Sequence, residues 1–122
     1  MSVYTQLDGT ARETSPCRSW VMFNGTGTVS VFTSFNISSI GDSGTGNYRV
    51  NLSHSHGNNT YCCLVTGTAG QSSGGTAMCD TTSFQGNGAN YPNSSTSWQI
   101  RAVTGSGSNT DMAWVNAATW KE

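Results

Sequence analysis

The feature that most constrains this chain is the alternation of apolar and polar residues between glycine-rich turns in residues 20–52. Two stretches carry apolar side chains at even spacing: Val29, Val31 and Phe35 in the first, and Tyr48, Val50 and Leu52 in the second. Successive side chains of a β-strand point to opposite faces, so each set shares one face, while Arg49 and Asn51 lie on the other. The pattern therefore predicts strands with one apolar face.

Glycine-rich turns separate these strands. Residues 24–27 read Asn-Gly-Thr-Gly and residues 42–46 read Asp-Ser-Gly-Thr-Gly, which supply the positive φ angles that tight turns need. No window repeats apolar residues at the i, i+3, i+4 spacing of a helix. Strands are predicted at residues 18–24, 28–35, 37–40, 47–52, 60–65, 97–103 and 112–118, with a last hairpin turn at 105–109. Short strands separated by turns predict an all-β fold, an antiparallel, jelly-roll-like β-sandwich.

Residues 20–52 also carry a recognisable motif. They contain W-V-M-F-N-G-T-G-T-V, then S-F-N-I-S-S-I, then D-S-G-T-G-N-Y-R-V-N-L. This run resembles the receptor-binding tip domains of bacteriophage tail fibres. The matching residues are Trp20, Val21, 23–29, 34–40, Asp42, 44–46, Tyr48 and 50–52. Residues 111–118 are more loosely similar to the closing strand of those domains, and residues 53–95 show no such agreement.

The resemblance implies a domain organisation and a function. Residues 1–16 would be a lead-in from the fibre shaft, and residues 17–122 would form the tip domain. Such tips are homotrimeric knobs attached to the rest of the tail fibre, and they bind a host-surface polysaccharide or outer-membrane molecule. The expected location is the virion, after assembly in the host cytoplasm.

Composition excludes several other classes. Ser, Thr, Asn and Gly make up half of the 122 residues, and charged residues are 9 %, far below the roughly 25 % of an ordinary domain. The net charge of −1 and the scattered arginines argue against a nucleic-acid partner, because phosphate binding needs clustered Lys and Arg. No apolar run approaches the roughly 20 residues of a membrane-spanning helix, so membrane insertion is not expected.

The four cysteines, Cys17, Cys62, Cys63 and Cys79, bear on the compartment. Cys62 and Cys63 are adjacent in a predicted strand, so their side chains point to opposite faces and do not easily bond each other. No secretion signal is recognisable in residues 1–16, and folding in a reducing cytosol is expected to leave the thiols free. A single disulfide between Cys17 and Cys79 is the alternative. Zinc is disfavoured because no C-x-x-C pair occurs.

Three predicted strands are apolar on both faces. In a small antiparallel domain the second apolar face of such a strand must be covered. The strands are residues 61–65, residues 28–35, where Phe32 lies on the face opposite to Val31, and residues 113–115. The cover is either a long loop of the same chain or a neighbouring subunit, and the resemblance favours the subunit. The residues expected at the trimer interface are Tyr61, Cys62, Leu64, Phe32 and Trp114.

Catalytic constellations are absent from the sequence, so no enzyme and no cofactor are predicted. Asp42 and Asp80 are the only conceivable carboxylate pair for glycoside hydrolysis. His54 and His56 have the one metal-like spacing, since i and i+2 side chains share a face of an extended segment. The motif occurs once, in a polar turn before Gly57, which favours a solvated loop over a metal site.

A receptor site for sugars needs exposed aromatic rings beside amides. Loops, which commonly carry binding groups, offer two such groups of residues: Tyr91, Asn87, Asn90 and Asn93 in one, and His54, His56, Asn58 and Asn59 in the other. Packing of Tyr91 over the sandwich edge beside Pro92 is the alternative for the first group. Two other functions stay open: a structural fibre or capsid-decoration domain without a receptor, and a secreted carbohydrate-binding module attached to a hydrolase.

Overall fold

A computed structural model describes residues 3–5, 11–13, 17–68, 78–80 and 94–121, and all structural statements concern these residues. They form ten strands and no helix: β1 (Val3–Thr5), β2 (Ala11–Glu13), β3 (Cys17–Asn24), β4 (Ser30–Phe35), β5 (Ile37–Asp42), β6 (Asn47–Leu52), β7 (Cys62–Thr68), β8 (Met78–Asp80), β9 (Ser97–Val103) and β10 (Trp114–Trp120). Within these ranges there is accordingly no helix that could cross a membrane.

The strands form two four-stranded sheets and one small hairpin. The first sheet has the order β4-β3-β10-β7, the second has the order β5-β6-β9-β8, and β1 pairs with β2. Every pairing is antiparallel. The inner faces of the two large sheets share one apolar core, so the predicted all-β antiparallel sandwich is confirmed.

The chain passes between the two sheets at a sharp corner after β4. Asn36 occupies this corner with a φ of 58°, the left-handed region that Asn tolerates better than most residues. Its side-chain amide donates to the carbonyl oxygen of Arg18 at 3.0 Å, and its Oδ1 accepts from the backbone N–H of His54 at 2.7 Å. One side chain therefore joins β3, the corner and the turn that follows β6.

The core lies between β3 and β10 of the first sheet and β6 and β9 of the second. Its fully buried members include Phe23, Tyr48 and Trp98, and the rings of Phe23 and Tyr48 meet edge-to-face at 5.1 Å. Burial of one such side chain contributes about 1.5–3 kcal/mol. As the alternation predicts, Tyr48, Val50 and Leu52 are buried.

The observed strand bounds agree best with the predicted bounds in the second sheet. β6 and β9 have the predicted limits, whereas β7 and β10 each begin and end two or three residues later than predicted. β1, β2 and β8 were not predicted, because three-residue strands show no periodic run. The turn predicted at 105–109 is present and is closed by an antiparallel Val103–Asn109 bridge. It does not join β9 and β10 as a hairpin, because these strands lie in different sheets.

The predicted common face of Val31 and Phe35 is also wrong. β4 pairs Val31 with Phe23 and Phe35 with Trp20, and the register shifts between these pairs because Phe32 is an extra residue in β4. Opposed residues of a ladder point to the same side, and a bulge reverses the alternation. Val31 therefore lies on the side of buried Phe23, and Phe35 lies on the side of exposed Trp20.

Candidate functional site

The outer face of the first sheet carries an unusual number of exposed apolar side chains. The strand registers and the alternation with buried positions place on it, among others, Phe32, Thr33 and Phe35 of β4, Trp20 and Met22 of β3, Trp114, Asn116 and Ala118 of β10, and Cys62, Leu64 and Thr66 of β7. We call this set the outer apolar face. None of its members is charged, so another surface can cover it without desolvating an ion.

The residues of the outer apolar face form rows across the four strands. Phe35, Trp20, Ala118 and Leu64 are opposed in one row, and Thr33, Met22, Asn116 and Thr66 in the next. Leu64 is 58 % exposed and Phe35 is 53 % exposed. Small Ala118 lies between Trp20 and Leu64, in a depression of about 290 Å³. At one end of the face, the rings of Phe32 and Trp114 lie 4.8 Å apart.

Four of the five residues predicted at the interface lie on the outer apolar face. Cys62, Leu64, Phe32 and Trp114 all expose their side chains there. Placing Tyr61 with them is wrong: it lies on the side of Cys63 and Val65 and packs against the core. Its hydroxyl donates to the carbonyl oxygen of Ser94 at 2.8 Å. Alternation explains the difference, because Tyr61 and Cys62 are neighbours on one strand-like segment.

Trp20 and Phe35 belong to the same face, although the sequence did not single them out. Trp20 occurs in the motif of residues 20–52, and the even spacing predicts a common face for Phe35 and Val31. A bulge depends on the pairing between two strands, so the sequence of β4 alone does not reveal that Phe35 points outward.

The turn between β6 and β7, residues 53–61, holds the second group of predicted receptor residues. His54, Asn58 and Asn59 are exposed. The turn is ordered by local side-chain bonds: Asn58 Oδ1 accepts from the N–H of Thr60 at 2.9 Å, and Ser55 Oγ accepts from the N–H of Gly57 at 2.9 Å. Asn and Ser commonly stabilise turns in this way. The turn therefore presents imidazole and amide groups on a defined backbone.

His56, in contrast, is not a solvated loop residue, and this part of the expectation is wrong. Its side chain is 8 % exposed, and Nε2 lies 2.8 Å from Oγ1 of Thr119. That hydroxyl lies 2.5 Å from Oγ of Ser19, and both Thr119 and Ser19 are fully buried. The ring also meets Tyr61 edge-to-face at 4.6 Å. His56 is thus a structural group between the turn and the first sheet, unsuited to touching a receptor.

Electrostatics around His56 disfavour the imidazolium. Burial lowers the pKa of His56 from its ordinary value, and the positive charges of Arg18 and Lys121 lower it further. The inward-facing Cys63 lies opposite Thr119, and burial raises the pKa of its thiol to about 12. Both groups are therefore neutral at pH 7.

The described residues contain no cluster of three or more His, Cys, Asp or Glu side chains that could hold a metal ion. His54 is exposed and His56 is buried against Thr119, so the two imidazoles do not present a shared face. Asp42 accepts from the N–H of Gly44 at 2.9 Å, the turn role expected for it.

Two parts of the predicted site lie outside the described residues. They are the group formed by Tyr91, Asn87, Asn90 and Asn93, and the side chain of Cys79. Cys17, its suggested partner, has a free thiol that donates to the carbonyl oxygen of Ser19 at 3.1 Å. Cys62 is also free.

Comparison of the chain with family models, with curated proteins and with solved structures gives no match.

Proposed function

We propose that this chain is the receptor-binding tip of a bacteriophage tail fibre, which associates as a homotrimer and binds a host-surface glycan or outer-membrane molecule. The observation that carries the proposal is the outer apolar face. A chain in which only 9 % of residues are charged and half are Ser, Thr, Asn or Gly nevertheless exposes Trp20, Phe35, Leu64 and Trp114 together on one sheet. Contiguous exposed apolar surfaces of this kind mark interaction sites.

Further copies of the same chain are the proposed cover of this face. A partner surface without charges suits it best, because covering it with charged groups would remove them from water without ions to pair with. The surface of the face also suits a second copy in shape, because Leu64 and Trp20 project beside a depression over Ala118. Trimerisation is an expectation from the motif of residues 20–52, which forms β3 to β6.

The receptor is proposed to meet the loops, which the covered face would leave free. In residues 53–61 the exposed groups are His54, Asn58 and Asn59. The loop that the sequence predicts at residues 85–95 would add Tyr91 with three asparagines, which lie outside the described residues. Amides suit pairs of sugar hydroxyls because each carries both donors and an acceptor. Each contact is weak, about 0.5–1.5 kcal/mol, so attachment would depend on three copies per fibre acting together.

Binding of fluorescently labelled protein to a panel of bacterial cells tests the receptor role. We expect surface labelling of susceptible cells that purified surface polysaccharide or outer-membrane extract competes away. The double variant Asn58→Ala/Asn59→Ala and the variant Tyr91→Ala should bind less, while Ser39→Ala on the outer face of the second sheet serves as the matched control. Folded, trimeric variants that label cells as well as the unmodified protein would exclude these loops.

One observation favours a second function, a carbohydrate-binding module. The outer apolar face sets aromatic rings beside Asn116 and Thr66, an arrangement that can stack on sugar rings and hydrogen-bond their hydroxyls. The two functions differ in what covers this face. A monomer whose intrinsic tryptophan fluorescence changes with soluble oligosaccharide would support the module, and a trimer without this change supports the fibre tip.

A further inference from the structure

The buried His56 closes one end of the sandwich by linking both sheets. It belongs to the turn that leaves β6 of the second sheet, and its ring bonds to Thr119 on β10 of the first. Thr119 in turn bonds to Ser19 on β3. The hydrogen-bonded side chains of His56, Thr119 and Ser19 therefore hold residues 53–61 against the first sheet.

Backbone and ring contacts fix the same turn around His56. Its N–H donates to the carbonyl oxygen of Ser95 at 2.8 Å, and its ring contacts Tyr61. Tyr61 itself donates to the carbonyl oxygen of Ser94. Movement of the ring out of its site would therefore also weaken the hydrogen bonds from His56 and Tyr61 to residues 94–95.

The environment of the ring provides hydroxyls and cations. On the side of β10, the ring contacts Thr119 and is near the charge of Lys121, the residue after this strand. On the side of β3 lie the charge of Arg18 and the hydroxyl of Ser19, which is bonded to Thr119. Tyr61 faces it from the segment before β7, and Cys63 of β7 lies opposite Thr119. Burial raises the pKa of both Tyr61 and Cys63, so neither supplies a negative charge at neutral or acidic pH.

We propose that His56 is a pH-sensitive latch: protonation of its imidazole releases residues 53–61 from the end of the sandwich. Neutral His56 accepts or donates one hydrogen bond to Thr119 without charge. The imidazolium would be a buried cation facing two other cations, which is costly unless the ring reaches water. Opening of the turn hydrates the ring at the expense of the bonds to Thr119 and Ser95.

The direction of the pH effect follows from linkage. The pKa of His56 is lower in the latched state than its ordinary value near 6.5, so the open state binds more protons. Below about pH 6.5 the latched-to-open ratio falls by up to about tenfold per pH unit, until the pH reaches the pKa of the latched state. Above pH 7 the latched-to-open ratio no longer changes with this titration. The latch does not depend on the proposed function, although it would let acid alter the placement of Asn58 and Asn59.

Hydrogen exchange of the backbone amides of residues 53–61, corrected for the intrinsic pH dependence of exchange, tests the proposal. The His56 amide is the main reporter, because it is bonded to Ser95. In the unmodified protein we expect its protection to fall as the pH decreases from 7 to 5, while amides of β6 keep theirs. The variant His56→Gln should remove this pH dependence, and His54→Gln, two residues away and exposed, should retain it.

A pH-independent protection in the unmodified protein, or the same pH dependence in His56→Gln, would overturn the proposal. If His56→Gln does not fold, Arg18→Gln provides the second test, since it removes one of the two cations that act on the ring. It should make the total loss of protection on acidification smaller, because the imidazolium meets less repulsion and the latched-state pKa lies closer to its ordinary value. The onset of the loss depends on the open state and should stay near pH 6.5. A loss of protection in Arg18→Gln as large as that of the unmodified protein would show that His56 is not the titrating group.

Discussion

At the scale of single residues, the close approach of the Tyr48 ring to the backbone explains Gly25 of the first turn. The hydroxyl of Tyr48 donates to the carbonyl oxygen of Gly25 at 3.0 Å and accepts from the N–H of Met112 at 3.3 Å. Asp111 accepts from the N–H of Gly46 at 2.8 Å. Burial raises the pKa of Tyr48, so its phenol stays protonated and remains a donor. The turns at residues 24–27 and 42–46 are thereby tied to the segment before β10.

Gly25→Ala should destabilise the protein, because a Cβ at this position would collide with the hydroxyl end of Tyr48. Tyr48 is enclosed by the core and 1 % exposed, so it cannot move aside freely. We expect a loss of about 1–3 kcal/mol in urea unfolding, the usual cost of overpacking. Gly41→Ala is the matched control, since its Cβ would make only ordinary contacts, the nearest at 3.6 Å. Equal effects of the two substitutions would contradict this explanation.

Cys63 should resist alkylation in the folded protein. Its pKa of about 12 leaves a negligible thiolate fraction at pH 8, and the thiolate is the reactive form. In urea the thiol regains its ordinary pKa and should react readily. Mass spectrometry of peptides after iodoacetamide treatment, with and without urea, measures the difference. Equally fast labelling of Cys63 in both conditions would show that its side chain does not face the interior.

At the scale of strands, the sequence predicted best those strands whose two faces differ most. β6 and β9 are inner strands of the second sheet, with a buried apolar face and a polar outer face, so alternation located them well. β4 is an edge strand whose bulge depends on its partner, and its residues all remain exposed. Local patterning therefore predicted that β4 exists and failed to predict which way its side chains point.

The residues of the candidate site were likewise predictable only in part. The two-faced apolar pattern predicted that Leu64 and Trp114 would face outward from their sheet, and they do. Burial of His56 was not predictable from the polar residues around it, because its partner Thr119 lies 63 positions away. Contacts of that range depend on how the two sheets stack, which periodicity does not encode.

Deleting residues 1–13 should lower the melting temperature by only a few degrees. β1 and β2 pair with each other and with no strand of the two large sheets. A two-stranded hairpin adds little stability on its own. Differential scanning calorimetry of the truncated and the unmodified chain measures the shift. Loss of the cooperative unfolding transition would show instead that these residues belong to the domain core.

At the scale of the whole molecule, the two sheets present different outer faces. The second sheet turns Arg49, Asn51 and Gln99 outward, with Arg49 Nη1 donating to Ser97 Oγ at 3.1 Å and Asn51 Nδ2 to Ser39 Oγ at 3.0 Å. The first sheet turns aromatic and aliphatic groups outward. Such an asymmetric sandwich is expected to hide one face and keep the other in water.

Leu64→Asp should dissociate the assembly without unfolding the subunit. Leu64 is 58 % exposed in the single chain, so a carboxylate there stays hydrated in a monomer, whereas in a covered face it would be buried without a partner at a cost of several kcal/mol. Gln99→Glu is the control, since it adds the same charge to the outer face of the second sheet. Gel filtration measures the mass of each variant, and circular dichroism checks its fold. Equal masses for Leu64→Asp and Gln99→Glu would argue against the outer apolar face as the interface.

The mass of the unmodified protein in solution tests the central claim most directly. Sedimentation equilibrium at micromolar concentration should give three times the 12.8 kDa of one chain, because the exposed Trp20, Phe35, Leu64 and Trp114 are then covered by neighbouring copies. A monomer that stays soluble with these side chains in water would contradict the homotrimeric fibre tip.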